Sequence, residues 1–399
     1  MTTFVNVTDA IGRGTNHGIT RVERKLALAL ADRTDVHFVV MHRGRLWRID
    51  KQRVLARVDL PSVQMQPRVE RFGVDRPAQV SARRTRVPVI WRRSQRSSGI
   101  GDIVLESLDL QRGDILFSAG VDWTHGFLDE AERAVFASDA TYVGFCYDLI
   151  PIDHPEWIFP PEPERFARHF ERMARIARSI LCISQWTRTD FARHFPSYEP
   201  DRLHVLTLGS DAALDVGPDE DAFARSVFDG APYAVYCATL DRRKNHQILY
   251  RAMREMVRSD SAGNLVFVGM LGSGVADLLS AMRNDPLVRG RIAHISNCDD
   301  QHLAALYRHA RFAVYPSMYE GWGLGVTEAL AHGKRSVVAS GSSLAEASFG
   351  TAHEVHPLVT AQWVGAMAEL FRDADAPAGM ELPTWADTAS QLIDLVSAR

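Results

Sequence analysis

Glu320 and Glu328 stand eight residues apart, on either side of the turn Gly321-Trp322-Gly323-Leu324-Gly325. Glycines let backbone N–H groups come close to a ligand, because no Cβ intervenes. The helix placed behind this turn, starting near Val326, favours an anionic group at its N-terminus and carries Glu328 on its first turn. A second group, Arg242-Arg243-Lys244, sets three positive charges where a strand hands over to a helix. A first helical turn ordinarily prefers acidic residues because of the helix dipole, so three bases there point to a ligand. With a further glycine loop at 269–274 they suit a diphosphate: arginine supplies a planar fork of donors and lysine a compact charge. Cations placed where a leaving diphosphate gains charge stabilise the transition state more than the ground state. The two glutamates are more open, since single glutamates beside helix starts also serve as caps or solvated charges.

The elements that must position these residues follow from apolar patterning. Strands are predicted at 4–7, 36–41, 46–49, 103–105, 114–118, 142–147, 180–184 and 203–208, then at 233–238, 265–268, 292–295, 312–315 and 337–339. Helices are predicted at 19–30, 161–177, 276–282 and 301–309, with others starting at Gln185 and running up to Met256. The stretches YVGFCY and YAVYCA are continuous apolar runs of the kind buried in a parallel sheet. Strands alternating with helices in both halves predict an α/β protein of two doubly wound, Rossmann-like domains facing across a cleft, with ligand at the carboxyl ends of the strands. We expect a first domain at 1–210, a linker at 211–230 overlapping a short helix at 222–228, a second domain at 231–375 and a final helical segment at 376–399. The loop at 9–18, DAIGRGTNHG, follows the first strand and lacks GxGxxG, so Gly12 and Gly18 form either a tight turn or a ligand-facing cradle.

The 399 residues exceed what one core usually supports, which agrees with two domains. Hydrophobic content of 46%, charged content of 24% and a formal charge of -3 describe a soluble protein. No apolar run approaches the ~18 residues of a membrane span, and the N-terminus lacks a leader pattern, so a cytoplasmic location is expected. Cys146, Cys182, Cys237 and Cys298 lie far apart with no CxxC pair and read as free thiols. Residues 68–96 hold nine arginines against one Glu and one Asp. Such a run suits an anionic membrane surface, a phosphorylated acceptor or a solvated insertion. Nucleic acid is not expected, because no recognition fold accompanies it.

The ordered motifs GITRVERKL (18–26), YDLIPIDHPEW (147–157), CISQWTRTDF (182–191), TLDRRKNHQIL (239–249) and LAALYRHARFAVYPSMYEGWGLGVTEALAHG (303–333) resemble glycosyltransferase family 4 over the whole chain. That family comprises retaining enzymes of GT-B fold, and the pattern is similar to bacterial mannosyltransferases of surface-polysaccharide assembly. The resemblance implies that Arg243 and Lys244 hold the diphosphate of a nucleoside-diphosphate sugar, with GDP-mannose the first candidate donor. Glu320 would support positive character at C1 of the transferred sugar, and Glu328 would bond the ribose. The turn from Gly321 to Val326 would close over sugar and phosphates, Ile295 or Ser296 would line the base pocket, and Gly12 and Gly18 would approach from the first domain. No metal is implied, in keeping with the absence of a DxD pair at a strand end. The acceptor would be a saccharide or lipid-linked saccharide, and the final helix at 382–392 would pack on the first domain. Three positions depart from the family pattern. Tyr147 replaces a histidine, which makes Asp148 the candidate at the acceptor side; Trp322 replaces a phenylalanine and either narrows the sugar pocket or packs; and Gly325 replaces a proline, which loosens the turn. GDP-fucose, dTDP-rhamnose and UDP-glucose are alternative donors. A non-catalytic sugar-nucleotide scaffold, a sugar-nucleotide epimerase and a dehydrogenase are the competing readings.

Overall fold

A computed structural model describes residues 2–12, 18–58, 66–74, 104–124, 126–158, 160–211, 213–261, 263–373 and 381–397. Its strands are β1 (Thr3–Asn6), β2 (Val36–His42), β3 (Arg45–Ile49), β4 (Arg68–Arg71), β5 (Val104–Ser107), β6 (Ile115–Ser118), β7 (Thr141–Cys146), β8 (Ser179–Cys182) and β9 (Leu203–Val205). The remaining strands are β10 (Tyr233–Cys237), β11 (Asn264–Val268), β12 (Ile292–Ser296), β13 (Phe312–Tyr315), β14 (Ser336–Ala339) and β15 (His353–Val355). They form two sheets, ordered β5-β3-β2-β1-β6-β7-β8-β9 and β15-β14-β13-β10-β11-β12-β4.

The first unit comprises Met1–Pro61, Ala82–Gly209 and Pro383–Arg399. Its central strands pair in parallel, and β1, β6, β7 and β8 are buried almost throughout. Burial of both faces by helices is why these strands read as unbroken apolar runs. At Gly144 in β7 a Cβ would stand 2.8 Å from Met173 Sδ, so the missing side chain lets the helix Glu162–Ile176 lie close on the sheet. The helix Trp385–Ser397 falls in this unit and extends it beyond β9. Gln391 Nε2 donates to Val205 O at 3.1 Å, Thr388 Oγ1 donates to Thr207 O at 2.9 Å, and the helix also contacts the helix Ile19–Ala29.

The second unit comprises Ser62–Ser81 and Ser210–Leu382. Three features add to or differ from the sequence expectation. Residues 68–71 are not part of an insertion in the first domain: β4 pairs antiparallel with β12 at the edge of the second sheet. Phe72 is fully buried there, and Glu70 accepts from Arg283 Nε at 2.6 Å and Nη2 at 2.9 Å. An edge strand of four residues with two exposed has no alternation to betray it, and the surrounding arginines mask it. The rest of the arginine-rich stretch, 75–96, lies outside the described residues. Within the expected linker 211–230 the short helix is present but starts four residues earlier than expected, at Pro218. The helix Pro218–Ser226 packs into the second unit, where Asp221 accepts from His309 Nε2 at 2.6 Å and Phe223 meets His302 edge-on at 5.1 Å. Finally, the sheets are not purely parallel: β3 pairs antiparallel with both β2 and β5. Among the described residues no helix is long and apolar enough to cross a membrane, and all four cysteines are free.

Candidate functional site

The site is built on the carboxyl ends of β10 and β13, which lie side by side in parallel. The loop after β10 carries Asp241, Arg243, Lys244 and Asn245; the loop after β13 carries Ser317, Tyr319 and Glu320. Met318 N–H donates to Arg243 O at 2.8 Å, tying the two loops together. Asn245 takes a left-handed backbone, φ 53°, which asparagine tolerates better than most residues. Its Nδ2 donates to Pro316 O at 3.1 Å and to Pro357 O at 2.9 Å, so one side chain holds three loops. Tyr236, from within β10, donates to Lys244 O at 2.8 Å and lies 3.0 Å from Ser317 Oγ. Ser343 Oγ, shared between two acceptors, bonds Glu320 O and Trp322 O at 2.7 Å each.

Within this frame Glu320 meets both cations. Arg243 Nη1 donates to Glu320 Oε2 at 2.8 Å, and Lys244 Nζ bonds Glu320 Oε1. Burial alone would raise the Glu320 carboxyl; Arg243 and Lys244 outweigh it, Ser317 adds a hydrogen bond, and the group is held at about 2. Burial and the adjacent Arg243 pull the Lys244 ammonium below its ordinary value, with Glu320 opposing. The result is a half-buried site in which two fixed cations share the Glu320 carboxylate, with Asp241 beside them accepting from Lys244 N–H at 3.0 Å.

Other predicted residues take more varied places. The helix Leu324–Ala331 begins two residues earlier than expected, so Glu328 sits on its second turn, where Tyr307 Oη approaches Oε2 at 3.4 Å. Gly325 does not loosen the turn. Its Cβ would stand 2.6 Å from Tyr315 Cε1, and Tyr315 Oη bonds Gly325 O, so glycine is what lets the helix seat on β13. At Gly323 a Cβ would meet Leu344 at 3.0 Å and Ala347 at 3.1 Å. The Val326 N–H is spent on Gly323 O at 2.8 Å, so it does not serve a ligand as expected. Trp322 is buried against Phe349, with ring centroids 6.2 Å apart, and its Nε1 has no hydrogen-bond partner. The 269–274 loop owes its glycines to close packing on the neighbouring loop: a Cβ at Gly269 would stand 2.3 Å from Ala238 O. The Ile295 side chain is wholly buried in the sheet, which leaves Ser296, at the strand end opposite Arg68, as the accessible member of that pair.

Gly12, Gly18 and Asp148 belong to the first unit. Gly12 ends a one-turn helix, Thr8–Gly12, where a loop was expected; Gly18 has φ +55° and open space at its Cβ, and residues 13–17 lie outside the described set. Asp148 Oδ1 accepts from Ile150 N–H at 3.1 Å. Tyr147 Oη donates to Ala119 O at 2.7 Å, and burial next to Glu23, Asp122 and Asp9 raises its hydroxyl well above the ordinary tyrosine value. This tyrosine is a fixed donor, not a base.

Sequence reading missed two buried groups. His246 follows Asn245, is packed between Tyr236 at 4.5 Å and Phe267 at 4.8 Å, and neither ring nitrogen has a partner. Burial and Lys244 hold it neutral. In the first unit Asp9, Glu23 and Asp122 converge on Gly120, where a Cβ would stand 2.8, 3.4 and 3.3 Å from their respective oxygens. Burial, then Asp9 and Asp122, raise the Glu23 carboxyl well above 4.5. The folded state therefore binds this proton more tightly, and the stability it lends is full below pH 4.5 and declines as pH rises toward the folded value. Glu23→Gln, which mimics the protonated form, is expected to raise stability at pH 8 by about 1–2 kcal/mol, or about 2–8 °C in Tm. Equal melting of the two proteins at pH 8 would rule this out.

Among the described residues no group of three or more His, Cys, Asp or Glu is arranged to hold a metal ion. The family model described as Glycosyl transferases group 1 matches residues 218–348, which include every residue of the Arg243–Lys244–Glu320 network. In sequence the chain is similar to the serotype-specific mannosyltransferase WbdA of Escherichia coli, 27% identical over 196 residues, 46% of this chain and 24% of that one. The MMP alpha-(1->4)-mannosyltransferase of Mycolicibacterium hassiacum is 30% identical over 226 residues, 55% of this chain and 52% of that one. The chain thus spans about a quarter to about half the length of these relatives. In fold it matches Anabaena Alr3699/HepE, solved with UDP and glucose, at a TM-score of 0.64 and 14% identity over 100% of both chains. The fold is therefore GT-B, two Rossmann-like α/β units, and the chain is related to bacterial mannosyl- and other glycosyltransferases.

Proposed function

We propose that this chain is a retaining glycosyltransferase of family 4 that moves a hexosyl group from a nucleoside-diphosphate hexose to a saccharide or lipid-linked saccharide hydroxyl. The observation that carries the reading is the contact of Arg243 and Lys244 with Glu320 at the joined ends of β10 and β13. Arg243 and Lys244 bind the diphosphate and stabilise the charge that grows on it as the C1–O bond to phosphate breaks. Glu320, ionised across the working pH range, supports positive character at C1. The acceptor oxygen bonds C1 on the face the diphosphate is leaving, and its proton passes to a phosphate oxygen. Glu328 bonds the ribose, and Ser296 lies beside the base. No metal is needed in this scheme.

The mannosyltransferase relatives favour GDP-mannose, and the solved structures of the same fold, with UDP and glucose or UDP-glucose, bring UDP-glucose forward. Both donors, with GDP-fucose and dTDP-rhamnose, are to be compared by calorimetry and by release of nucleoside diphosphate, each with Mg²⁺ and with EDTA. We expect one donor to bind and turn over equally in both conditions, with the anomeric configuration kept in the product by NMR. Binding without any turnover across an acceptor panel would favour the scaffold reading; binding of no donor would reject both.

A further inference from the structure

The first unit contains a cavity of about 410 Å³ that the donor chemistry leaves unused. It lies just beyond the carboxyl end of β6, between the short turn Asp122–Thr124 and the helix Glu162–Ile176. Strand order reverses at β1, and the cavity lies at the end of the adjacent strand β6, its wall drawn from residues 122–129 and 165–172 at the carboxyl side of the sheet, where ligands of open α/β sheets bind. The volume is in the range of small-molecule sites.

Its wall is specific. Arg165, Arg168 and Arg172 follow one another at spacings of three and four along one helical face. Arg165 is paired with Glu162 at 3.0 Å, and Arg172 bridges Asp129 at 2.6 Å and Glu132 at 2.5 Å. Arg168 is exposed and, among the described residues, has no carboxylate partner. In a wall that also holds the Asp122 and Asp129 carboxylates, its planar fork is the arginine charge not taken up by a carboxylate, and that geometry matches a carboxylate or phosphate with two parallel hydrogen bonds. Beside it stands Trp123, half-buried and fixed by edge contacts with Phe166 at 5.0 Å and His169 at 6.1 Å. An indole held in this way gives the C–H face of a pyranose an apolar surface without a further ordering cost.

We propose that this cavity binds an anionic saccharide, with the sugar ring against Trp123 and its carboxylate or phosphate on Arg168. That this ligand is the acceptor rests on the glycosyltransferase reading above; the chemistry of the cavity does not.

The test is calorimetry of the full chain with glucuronic acid, glucose 6-phosphate and glucose as probes. We expect both anionic sugars to bind about tenfold tighter than glucose or better, and more weakly as NaCl is raised. Whichever of the two binds more tightly identifies the oxyanion. Arg168→Ala and Trp123→Ala should abolish this binding, Arg168→Lys should keep part of it, and Arg243→Ala/Lys244→Ala should leave it intact. Binding of none of the probes, equal binding of glucose, or unchanged binding in Arg168→Ala overturns the proposal. Loss in Arg243→Ala/Lys244→Ala instead would place the probes at the diphosphate site and also overturn it. Anionic-sugar binding in a protein that binds no nucleoside-diphosphate sugar would reject the transferase reading and leave this one standing.

Discussion

Arg243→Ala/Lys244→Ala is expected to lose nucleoside-diphosphate-sugar binding by about 10²–10⁴-fold and transfer by more. In the proposed donor complex each cation would make a charge-assisted contact with the diphosphate worth roughly 1.5–3 kcal/mol, and more as charge develops on the leaving group. The same double change strands Glu320. Its carboxylate is bonded by both cations, and removing them leaves a half-buried charge whose loss of partners costs about 3–5 kcal/mol. Two effects are thus mixed in one variant. Adding Glu320→Gln separates them: the triple variant should recover much of the stability, since no buried charge is left unpaired, and recover none of the donor binding. Restored donor binding in the triple variant would mean that the cations only neutralise Glu320 and never touch the diphosphate.

The second large effect is that of Glu320→Gln alone. Transfer should fall about 10²–10³-fold, because glutamine cannot support positive charge at C1. Donor binding should hold or tighten, because Arg243 and Lys244 no longer divide their hydrogen bonds between carboxylate and phosphate. A pH signature accompanies the change. The wild-type carboxyl titrates at about 2 when folded against 4.5 as the ordinary value. Its contribution to stability, of the order of 3 kcal/mol, is present above pH 4.5 and is lost as pH falls toward 2. Glu320→Gln should lack that acid-dependent loss between pH 4.5 and 2 while being less stable than wild type at pH 7. Undiminished transfer at saturating donor would take Glu320 out of the chemistry, and a persistent acid step of the same size would take it out of the ion pairs.

Both expectations depend on a contact that no local pattern contains. Arg243 and Lys244 stand out by sequence because bases oppose the helix dipole at a helix start, and Glu320 stands out because of the glycines after it. Their meeting depends on β10 lying next to β13, although β11 and β12 intervene in the chain. Strand order is fixed by which helices and sheet faces pack, not by the apolar run of any one strand. For the same reason the clamps Asn245, Tyr236 and Ser343 were invisible as clamps: each acts on a loop distant in sequence.

The sequence by itself determined the α/β class, most of the interior strands, the division of chemistry into a cationic turn and a glutamate-bearing turn, and the free state of the cysteines. These follow from periodicity, from glycine and charge at element ends, and from cysteine spacing, all of them properties of short windows. Only the tertiary structure decided that residues 68–71 complete the second sheet, that the short helix at 218–226 packs on His309 and His302, and that Gly325 serves Tyr315. It also decided that three carboxylates and a lone arginine-and-tryptophan wall gather at the carboxyl end of β6. Edge pairing, close approach and the burial of charge arise between segments far apart in the chain, and only the packed fold brings those segments into contact.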